Sequence, residues 1–328
     1  MPLHEKFNQQ FYVRSTWIKL LIPFSYLYLI IISIRNFLYY VGFFDIKKVS
    51  VPVIIVGNIT VGGTGKTQLL ISIASYFLTN GFKPGIISRG YKALNKHARE
   101  VTNKSKLLDV GDEPFMLKRH LGIPVFVGEK RISVAELLLK DYPDVDIILS
   151  DDGLQHLELA RDYEIVVIDK MRGFGNNHLL PSGPLREPIK RLNSIDAIIM
   201  NGEKITNKNY FSMHYSANDK IKSVLENKYL KINLLKNKKL YAVTGIGNPE
   251  RFFSFLKDLG LTFEKLVFND HHNFSNEDFN QCGNKIIIMT EKDAVRCLHL
   301  KNKNIWYLPI KAIVDKKLFV NIKNKIGL

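Results

Sequence analysis

Residues 53–67 read VIIVGNITVGGTGKT, and this stretch decides the fold. Its first four residues are apolar and β-branched, which predicts a short, fully buried strand. Glycines typical of a tight turn follow, and the apolar residues of 68–77 then recur at helical spacing. A strand, a glycine-rich turn and a helix in this order point backbone N–H groups and the positive end of a helix dipole at bound phosphate. The stretch therefore predicts a phosphate-binding loop.

The end of this loop carries the side chains that nucleotide chemistry needs. Lys66 can reach the β- and γ-phosphates, and the Thr67 hydroxyl can ligate Mg²⁺. Thr60 stands where the motif usually opens with glycine, but the glycines that follow keep the turn free of side chains. A glycine-rich turn can be only a tight connection; the Gly-Lys-Thr ending and the flanking elements favour a nucleotide site. We assign the nucleotide contacts to Thr60, Val61, Gly62, Gly63, Thr64, Gly65, Lys66 and Thr67.

The rest of the chain alternates short apolar runs with segments of helical periodicity. Further strands are predicted within 84–91 and at 124–127, 146–150, 164–168 and 197–200. This alternation is typical of a doubly wound α/β fold, with a parallel sheet covered on both faces. A Lys/Asn-rich stretch interrupts it, and a second, smaller α/β unit begins near 239. The predicted organisation is an apolar N-terminal segment (1–45), a P-loop domain (46–205), a strand linker (206–238) and a C-terminal α/β domain (239–328).

Composition narrows the classes of partner. The chain has 328 residues, and 47 Lys and Arg against 31 Asp and Glu give a net charge of +16. Its two cysteines have no metal-like spacing, so neither a disulfide framework nor a Cys/His metal site is expected. A basic surface can be merely well solvated, or it can meet nucleic acid or an anionic membrane. No nucleic-acid signature accompanies the charge, so we expect no nucleic-acid partner, and no protein partner is inferred.

The sequence of the N-terminal segment favours attachment to a membrane. Fifteen uncharged residues lie between Lys19 and Arg35, short of the ~20 that a spanning helix needs. Apolar character resumes at 37–44, but a span over both runs would place Arg35 inside it, at about 2.5 to 3.5 kcal/mol near the centre. A buried core helix is the alternative. The aromatic residues and flanking basic residues suit a helix in the membrane interface, and we predict membrane attachment.

Two acidic pairs could serve catalysis. Asp151 and Asp152 follow an apolar strand, where carboxylates of nucleotide enzymes hold Mg²⁺, although Asp-Asp-Gly also suits a cap or an Asx-turn. Asp112 and Glu113 stand at the start of a predicted helix, where acids commonly complement the helix dipole. A carboxylate there could instead accept a proton from a hydroxyl acceptor. His271, in Asp270-His271-His272, could support such an acid or belong to an ordinary polar turn.

These motifs together resemble the tetraacyldisaccharide 4′-kinase family of lipid A biosynthesis, over nearly the whole chain. The family's order is kept in seven runs: residues 56–67, 88–91, 111–114, 151–156, 180–188, 270–272 and 290–295. The Thr60 opening is similar to the family's own form of the loop. The chain departs from the family pattern at Leu154, where an aromatic is common, and at Asn176-Asn177-His178, where a glycine-bearing run is usual.

The resemblance implies a reaction and a place. The γ-phosphate of ATP, with Mg²⁺, would pass to the 4′-hydroxyl of tetraacyldisaccharide 1-phosphate, an anionic lipid A precursor, giving lipid IVA. The site would lie between two α/β domains, on the cytoplasmic face of a Gram-negative inner membrane. By the same resemblance Asp112 is the catalytic base, assisted by His271, and Lys66 acts on the phosphates. Thr67, Glu113, Asp151 and Asp152 form the metal site, with Gln155 nearby.

Two other classes of protein remain open at this point. A membrane-associated GTPase would read guanine with residues like Thr290-Glu291-Lys292-Asp293, although this lysine is displaced by one position and Asp-Asp-Gly lacks the usual switch pattern. A nucleic-acid ATPase would fit the charge, but neither a helicase-like motif nor an arginine finger accompanies it. Comparison of ATP with GTP, and of turnover with and without nucleic acid, separates the three classes.

Overall fold

The computed structural model describes residues 11–12, 17–91, 93–202 and 209–328. The remainder of the predicted N-terminal segment (1–10 and 13–16) and the start of the predicted linker (206–208) lie outside these residues. The described chain forms two compact units. One contains the chain up to His214 together with Ala312–Leu328, and the other is Tyr215–Lys311.

The elements follow one another in the alternation that the sequence predicts. In chain order the described strands are β1 (Val53–Gly57), β2 (Pro84–Ser88), β3 (Arg99–Glu100), β4 (Val125–Val127), β5 (Ile147–Asp151), β6 (Tyr163–Asp169), β7 (Ala197–Asn201), β8 (Tyr210–Ala217), β9 (Lys220–Ser223), β10 (Tyr229–Lys231), β11 (Leu240–Thr244), β12 (Phe263–Val267), β13 (Ile286–Met289), β14 (Ile305–Tyr307) and β15 (Ile310–Val314). The described α-helices are α1 (Ile22–Tyr40), α2 (Lys66–Thr79), α3 (Leu107–Val110), α4 (Asp112–Leu121), α5 (Arg131–Asp141), α6 (Pro249–Asp258), α7 (Glu291–Val295) and α8 (Lys316–Ile326).

The sheet of the first unit places the phosphate loop. Its strand order is β15-β8-β7-β6-β1-β5-β2-β4-β3, and β1 runs parallel to both of its neighbours, β5 and β6. Every residue of β1, β2, β5 and β6 is buried. Because successive side chains of a strand point to opposite faces, this pattern means that both faces of the central sheet are covered. The predicted doubly wound α/β fold is confirmed.

The carboxyl ends of β1 and β5 bring two predicted motifs to one edge. Val56 of β1 is in register with Asp151 of β5. The glycine-rich loop that follows β1 and the Asp151-Asp152 turn therefore leave the sheet side by side. Ligands of open parallel sheets bind at this edge.

The second unit has its own sheet, in the order β10-β9-β14-β13-β11-β12. Strands β12, β11, β13 and β14 are parallel, while β9 and β10 continue the sheet as antiparallel strands. Its core includes Phe253, Phe274 and Phe279. β11 precedes both of its neighbours in the chain, so the strand order reverses at β11.

The units divide the chain differently from the predicted domains. Strands β9 and β10, predicted as part of a linker, belong to the second sheet because β9 pairs with β14. The C-terminal helix α8, predicted as part of the C-terminal domain, belongs to the first unit. There Phe319 stacks on Tyr76, with ring centroids 4.2 Å apart, and Tyr163 donates a hydrogen bond to Asn321. The chain crosses between the units within β8 and returns within β15.

Helix α1 has two unlike faces. Ser25 and Ile32 are buried, and Tyr28 and Arg35 on the same side are partly buried. The opposite face exposes the apolar side chains of Phe24, Leu27, Ile30, Ile31, Ile34 and Phe37. By length and composition alone, Ile18–Tyr40, at 23 residues, could cross a membrane. Arg35, which interrupts the apolar sequence, lies on the inner side, so the outer face of the helix is continuous.

Candidate active site

The glycine-rich loop has the backbone that a phosphate cradle requires. Gly62 and Gly65 have φ values of +99° and +102°, a left-handed region that favours glycine. Lys66 and Thr67 then begin α2, so the N–H groups of its first turn are turned toward the loop. The Thr64 hydroxyl is buried and has no hydrogen-bond partner among the described residues. The Thr64 hydroxyl is therefore a donor that a bound anion could satisfy.

Thr60 is accommodated because the loop opens in extended conformation. Thr60 forms an antiparallel bridge with Leu185, and the Val61 N–H donates to the Pro184 carbonyl at 2.8 Å. This position therefore requires no left-handed backbone, and glycine has no advantage there. Its replacement by threonine leaves the phosphate-facing part of the loop unchanged.

Lys66 is held by two oxygen atoms. Its Nζ donates to Asn58 Oδ1 at 2.9 Å and lies 3.2 Å from Asp152 Oδ1. Asn58 is fully buried, and its own amide donates to the Gly62 carbonyl at 3.3 Å. No sequence motif assigns a role to Asn58. Its position between the buried strand and the loop is the signal that could have identified it.

Asp152 is the centre of a charged group. Nη1 of Arg186 donates to both of its carboxylate oxygens, at 3.2 and 3.0 Å. Burial by itself would raise the pKa of Asp152, but the charges of Lys66 and Arg186 outweigh burial and hold the pKa well below its usual range. Asp152 is thus an anion that pairs with both cations. Arg186 belongs to the family run at 180–188, but the sequence does not single it out as a site residue.

Asp151 has the opposite character. Ser88 Oγ donates to its Oδ2 at 3.2 Å, whereas its buried Oδ1 has no hydrogen-bond partner among the described residues. Burial, together with the negative charges of Glu113 and Asp152, raises the pKa of Asp151 to about 7. A buried carboxylate with an unsatisfied oxygen and neighbouring negative charges is suited to a cation.

The remaining predicted metal residues adjoin this carboxylate. Thr67 Oγ1 donates to Glu113 Oε2 at 3.4 Å, and Asp112 precedes Glu113 at the start of α4. The donors are all oxygen atoms, the type that Mg²⁺ prefers. Across the described ranges, no group of three or more His, Cys, Asp or Glu is arranged as a metal site. The assignment of Mg²⁺ to Thr67, Glu113, Asp151 and Asp152 stays a prediction.

Gln155 and His156 follow the acidic turn. Gln155 donates to Glu187 Oε1 at 2.6 Å and to the Asn58 carbonyl at 3.3 Å, which links the turn to the loop. Burial lowers the pKa of His156 to about 4, with the positive charges of Arg131 and Arg89 acting in the same direction. His156 is therefore neutral at pH 7.

The departures from the family pattern are accommodated locally. Leu154 is fully buried. Asn177 has a φ of +62°, a conformation in which asparagine is the commonest substitute for glycine. Asn176 donates to the Ser182 carbonyl at 2.7 Å. The run therefore keeps the backbone that a glycine would allow.

His271 lies in the second unit, whereas the other predicted site residues lie in the first. It follows β12, has a φ of +65°, and its Nε2 is 3.9 Å from Asp270 Oδ1. Its backbone N–H donates to the Gly245 carbonyl at 3.2 Å. This places His271 at the carboxyl edge of the second sheet.

A buried ion pair supports the turn that carries His271. Asp293 is fully buried, accepts hydrogen bonds from Thr244, Thr290 and the Gly245 N–H, and pairs with Arg296 at 3.0 Å. Arg296 in turn donates to the carbonyls of Gly245 and His272. Because the Asp293 carboxylate is buried and fully engaged, it cannot read a guanine base. The GTPase alternative is wrong on this point.

Comparisons with known proteins find relatives over nearly the whole chain. The family model described as tetraacyldisaccharide-1-P 4′-kinase matches residues 17–327. The tetraacyldisaccharide 4′-kinase of Methylobacillus flagellatus is 46% identical over 311 residues, covering 95% of this chain and 92% of the relative. That of Nitrosococcus oceani is 41% identical over 297 residues, covering 90% and 86%.

A solved structure agrees at the level of the fold. The "apo" form of LpxK from Aquifex aeolicus, crystallised in complex with ATP, superimposes with a TM-score of 0.81 at 31% identity. The match covers 95% of this chain and all of the Aquifex chain. With a family match over almost the whole length and relatives above 40% identity, the chain belongs to the tetraacyldisaccharide-1-phosphate 4′-kinase family.

Proposed function

We propose that this chain transfers the γ-phosphate of ATP to the 4′-hydroxyl of tetraacyldisaccharide 1-phosphate, giving lipid IVA. Family membership confirms the predicted enzyme class, a kinase of lipid A synthesis. The single observation that carries the reaction is the position of Lys66, held by Asn58 and Asp152 at the start of α2. An ammonium group there can neutralise charge that develops on the transferred phosphate.

The residues around Lys66 have two further roles, the orientation of the lysine and the binding of Mg²⁺. Asp152 is fixed by Arg186, and it orients the lysine through their ion pair. Thr67, Glu113, Asp151 and Asp152 are the residues that would hold Mg²⁺, with Asp151 Oδ1 as the oxygen that lacks a partner among the described residues. Mg²⁺ held by these residues would supply positive charge that offsets the charge of the phosphates.

Asp112 and His271 are our candidates for accepting the proton of the 4′-hydroxyl. Asp112 supplies a carboxylate one residue from Glu113, which contacts the P-loop threonine. His271 supplies an imidazole at the carboxyl edge of the second sheet. Asp112→Ala and His271→Ala should each lower kcat strongly while ATP binding is kept, because neither residue belongs to the phosphate loop.

We also propose that the outer face of α1 attaches the enzyme to the cytoplasmic face of the inner membrane of a Gram-negative bacterium. Six large apolar side chains share that face, and their exposure to water is unfavourable. The acceptor is itself a lipid, so attachment would bring the enzyme to its substrate. The anionic disaccharide also suits a chain with a net charge of +16.

The test of the reaction is phosphate transfer from radiolabelled ATP to tetraacyldisaccharide 1-phosphate in detergent micelles. Wild type should form the bisphosphorylated product with ATP, and Lys66→Ala should lose turnover while the fold is kept. Lys83→Ala is the matched control, since Lys83 is an exposed lysine paired with Asp144 at 3.0 Å. Near-normal transfer by Lys66→Ala, or none by wild type, would overturn the proposal.

A further inference from the structure

The irregular segment 179–187 lies against the phosphate loop, which it meets at an isolated β-bridge. Its Pro184 carbonyl accepts from the Val61 N–H at 2.8 Å, and the Arg186 N–H donates to the Ile59 carbonyl at 2.7 Å. Leu185 bridges Thr60 between these two bonds. The opening of the loop therefore takes its position from this segment.

Helix α1 supports the other side of the same segment. Ser25 Oγ donates to the Leu179 carbonyl at 2.8 Å, accepts from the Ser182 N–H at 3.1 Å, and lies 2.6 Å from Ser182 Oγ. Tyr28 donates from its hydroxyl to the Arg186 carbonyl at 2.9 Å. Ser182 is fully buried, and buried backbone groups of an irregular segment need partners. Helix α1 provides several of these partners, and Asn176 provides the donor to the Ser182 carbonyl.

These contacts join α1 to the site in few steps. Tyr28 holds the backbone of Arg186, the Arg186 side chain holds Asp152, and Asp152 pairs with Lys66 at 3.2 Å. Ser25 and Tyr28 are spaced by three residues and so share one face of the helix. That face is the inner one, opposite the apolar face that we assign to the membrane.

We propose that Ser25 and Tyr28 are positioning residues, which hold the 179–187 segment so that the phosphate loop and Arg186 keep their catalytic placement. The inference rests on the proposed kinase function. It makes α1 a part of the phosphate site as well as an attachment to the membrane. Small displacements of groups that contact the reacting phosphate lower the rate strongly.

The variants are Tyr28→Phe and Ser25→Ala, each of which removes one hydroxyl. Their matched controls are Tyr40→Phe and Ser33→Ala, whose side chains lie exposed on the same helix. We expect kcat to fall about tenfold in Tyr28→Phe and Ser25→Ala, and to stay within about twofold in the controls. In Tyr28→Phe, KM for ATP, the thermal midpoint and sedimentation with phosphatidylethanolamine–phosphatidylglycerol vesicles should change little. Tyr28→Phe combined with Arg186→Lys should lose less than the product of the two single losses.

Hydrogen exchange supplies a readout that does not depend on the acceptor. In Tyr28→Phe, amides of 59–61 and 182–187 should exchange several-fold faster, while those of β6 are unchanged. Should Ser25→Ala fail to fold, Tyr28→Phe still carries the test. Equal kcat in Tyr28→Phe and Tyr40→Phe, or a loss that follows vesicle binding or the thermal midpoint, would overturn the inference. If the wild type has no transfer activity but Tyr28→Phe shows the expected exchange changes, only the proposed function would be overturned.

Discussion

At the scale of single residues, Asp151 and Asp152 show how environment separates two adjacent carboxyl groups. Asp152 pairs with Lys66 and Arg186, and its pKa falls. Asp151 is more deeply buried, faces Glu113 and Asp152, and its pKa rises to about 7. The same acidic turn thus contains a permanent anion and a carboxyl group that protonates readily without ligand.

This difference predicts a pH-dependent effect of Asp151→Asn on stability without nucleotide. The pKa of Asp151 rises from about 3.9 in the unfolded chain to about 7 in the fold. The protonated form is therefore stabilising, fully below about pH 4, and this contribution is lost as the pH rises through 7. Urea unfolding should show Asp151→Asn more stable than wild type by about 1 to 3 kcal/mol at pH 8, and nearly equal at pH 4.5.

Asp144→Asn provides the control, because this exposed carboxyl pairs with Lys83 and its pKa is lowered. It should not stabilise the protein at pH 8. A loss of stability in Asp151→Asn of the same size at both pH values would show that burial does not govern this carboxyl group.

At the scale of elements, α1 predicts where the membrane contact lies. Ile31 on its outer face is 56% exposed, as is Val320 on α8. An aspartate in the membrane interface loses apolar contact and must keep its charge hydrated. Ile31→Asp should therefore weaken sedimentation with anionic vesicles by about tenfold, whereas Val320→Asp should not. Equal binding by both variants would place the attachment on the basic surface instead.

The carboxyl edge of the second sheet depends on one buried ion pair. Asp293 and Arg296 are 0% and 3% exposed, so removing either charge leaves the other uncompensated. Asp293→Asn should lower the free energy of unfolding by about 3 kcal/mol or more, measured in urea by the fluorescence of Trp306. The exposed pair Lys265–Glu250 is the control, and Glu250→Gln should cost less than about 1 kcal/mol. Similar losses in the two variants would mean that the buried pair has little structural importance.

At the scale of the whole molecule, the C-terminal helix α8 completes the first unit. Leu318 and Ile322 are fully buried, and Phe319 stacks on Tyr76 of α2. The nucleotide-binding unit can therefore acquire all of its core only once α8 has been synthesised. The stability of the first unit thus depends on α8.

Ile322→Ala tests whether the stability of the first unit depends on α8. Removing buried methylene groups should cost about 2 to 5 kcal/mol. Hydrogen exchange should increase in β6, against which α8 packs, before it increases in β13 of the second unit. Val320→Ala, at an exposed position of the same helix, should change the free energy of unfolding by less than about 0.5 kcal/mol. Faster exchange confined to β13 would assign α8 to the second unit.

Much of the molecule follows from local patterns in the sequence. The buried strand, the glycine turn and the helix with Lys66 and Thr67 are neighbours in the chain, so spacing alone predicts the phosphate loop. Apolar runs of strand length predict the parallel sheet, because β1, β2 and β5 are buried on both faces. The ordered motifs indicate the family and, through it, the reaction.

Only the tertiary structure decides which distant residues meet. Arg186 reaches Asp152 across 34 positions, and Ser25 reaches Ser182 across 157. The same holds for the pairing of β9 with β14 and for the return of α8 to the first unit. Periodicity shows that a face is buried but not which element covers it, since many partners would bury the same area. The contacts that orient Lys66, and the division of the chain into its two units, therefore depend on the complete fold.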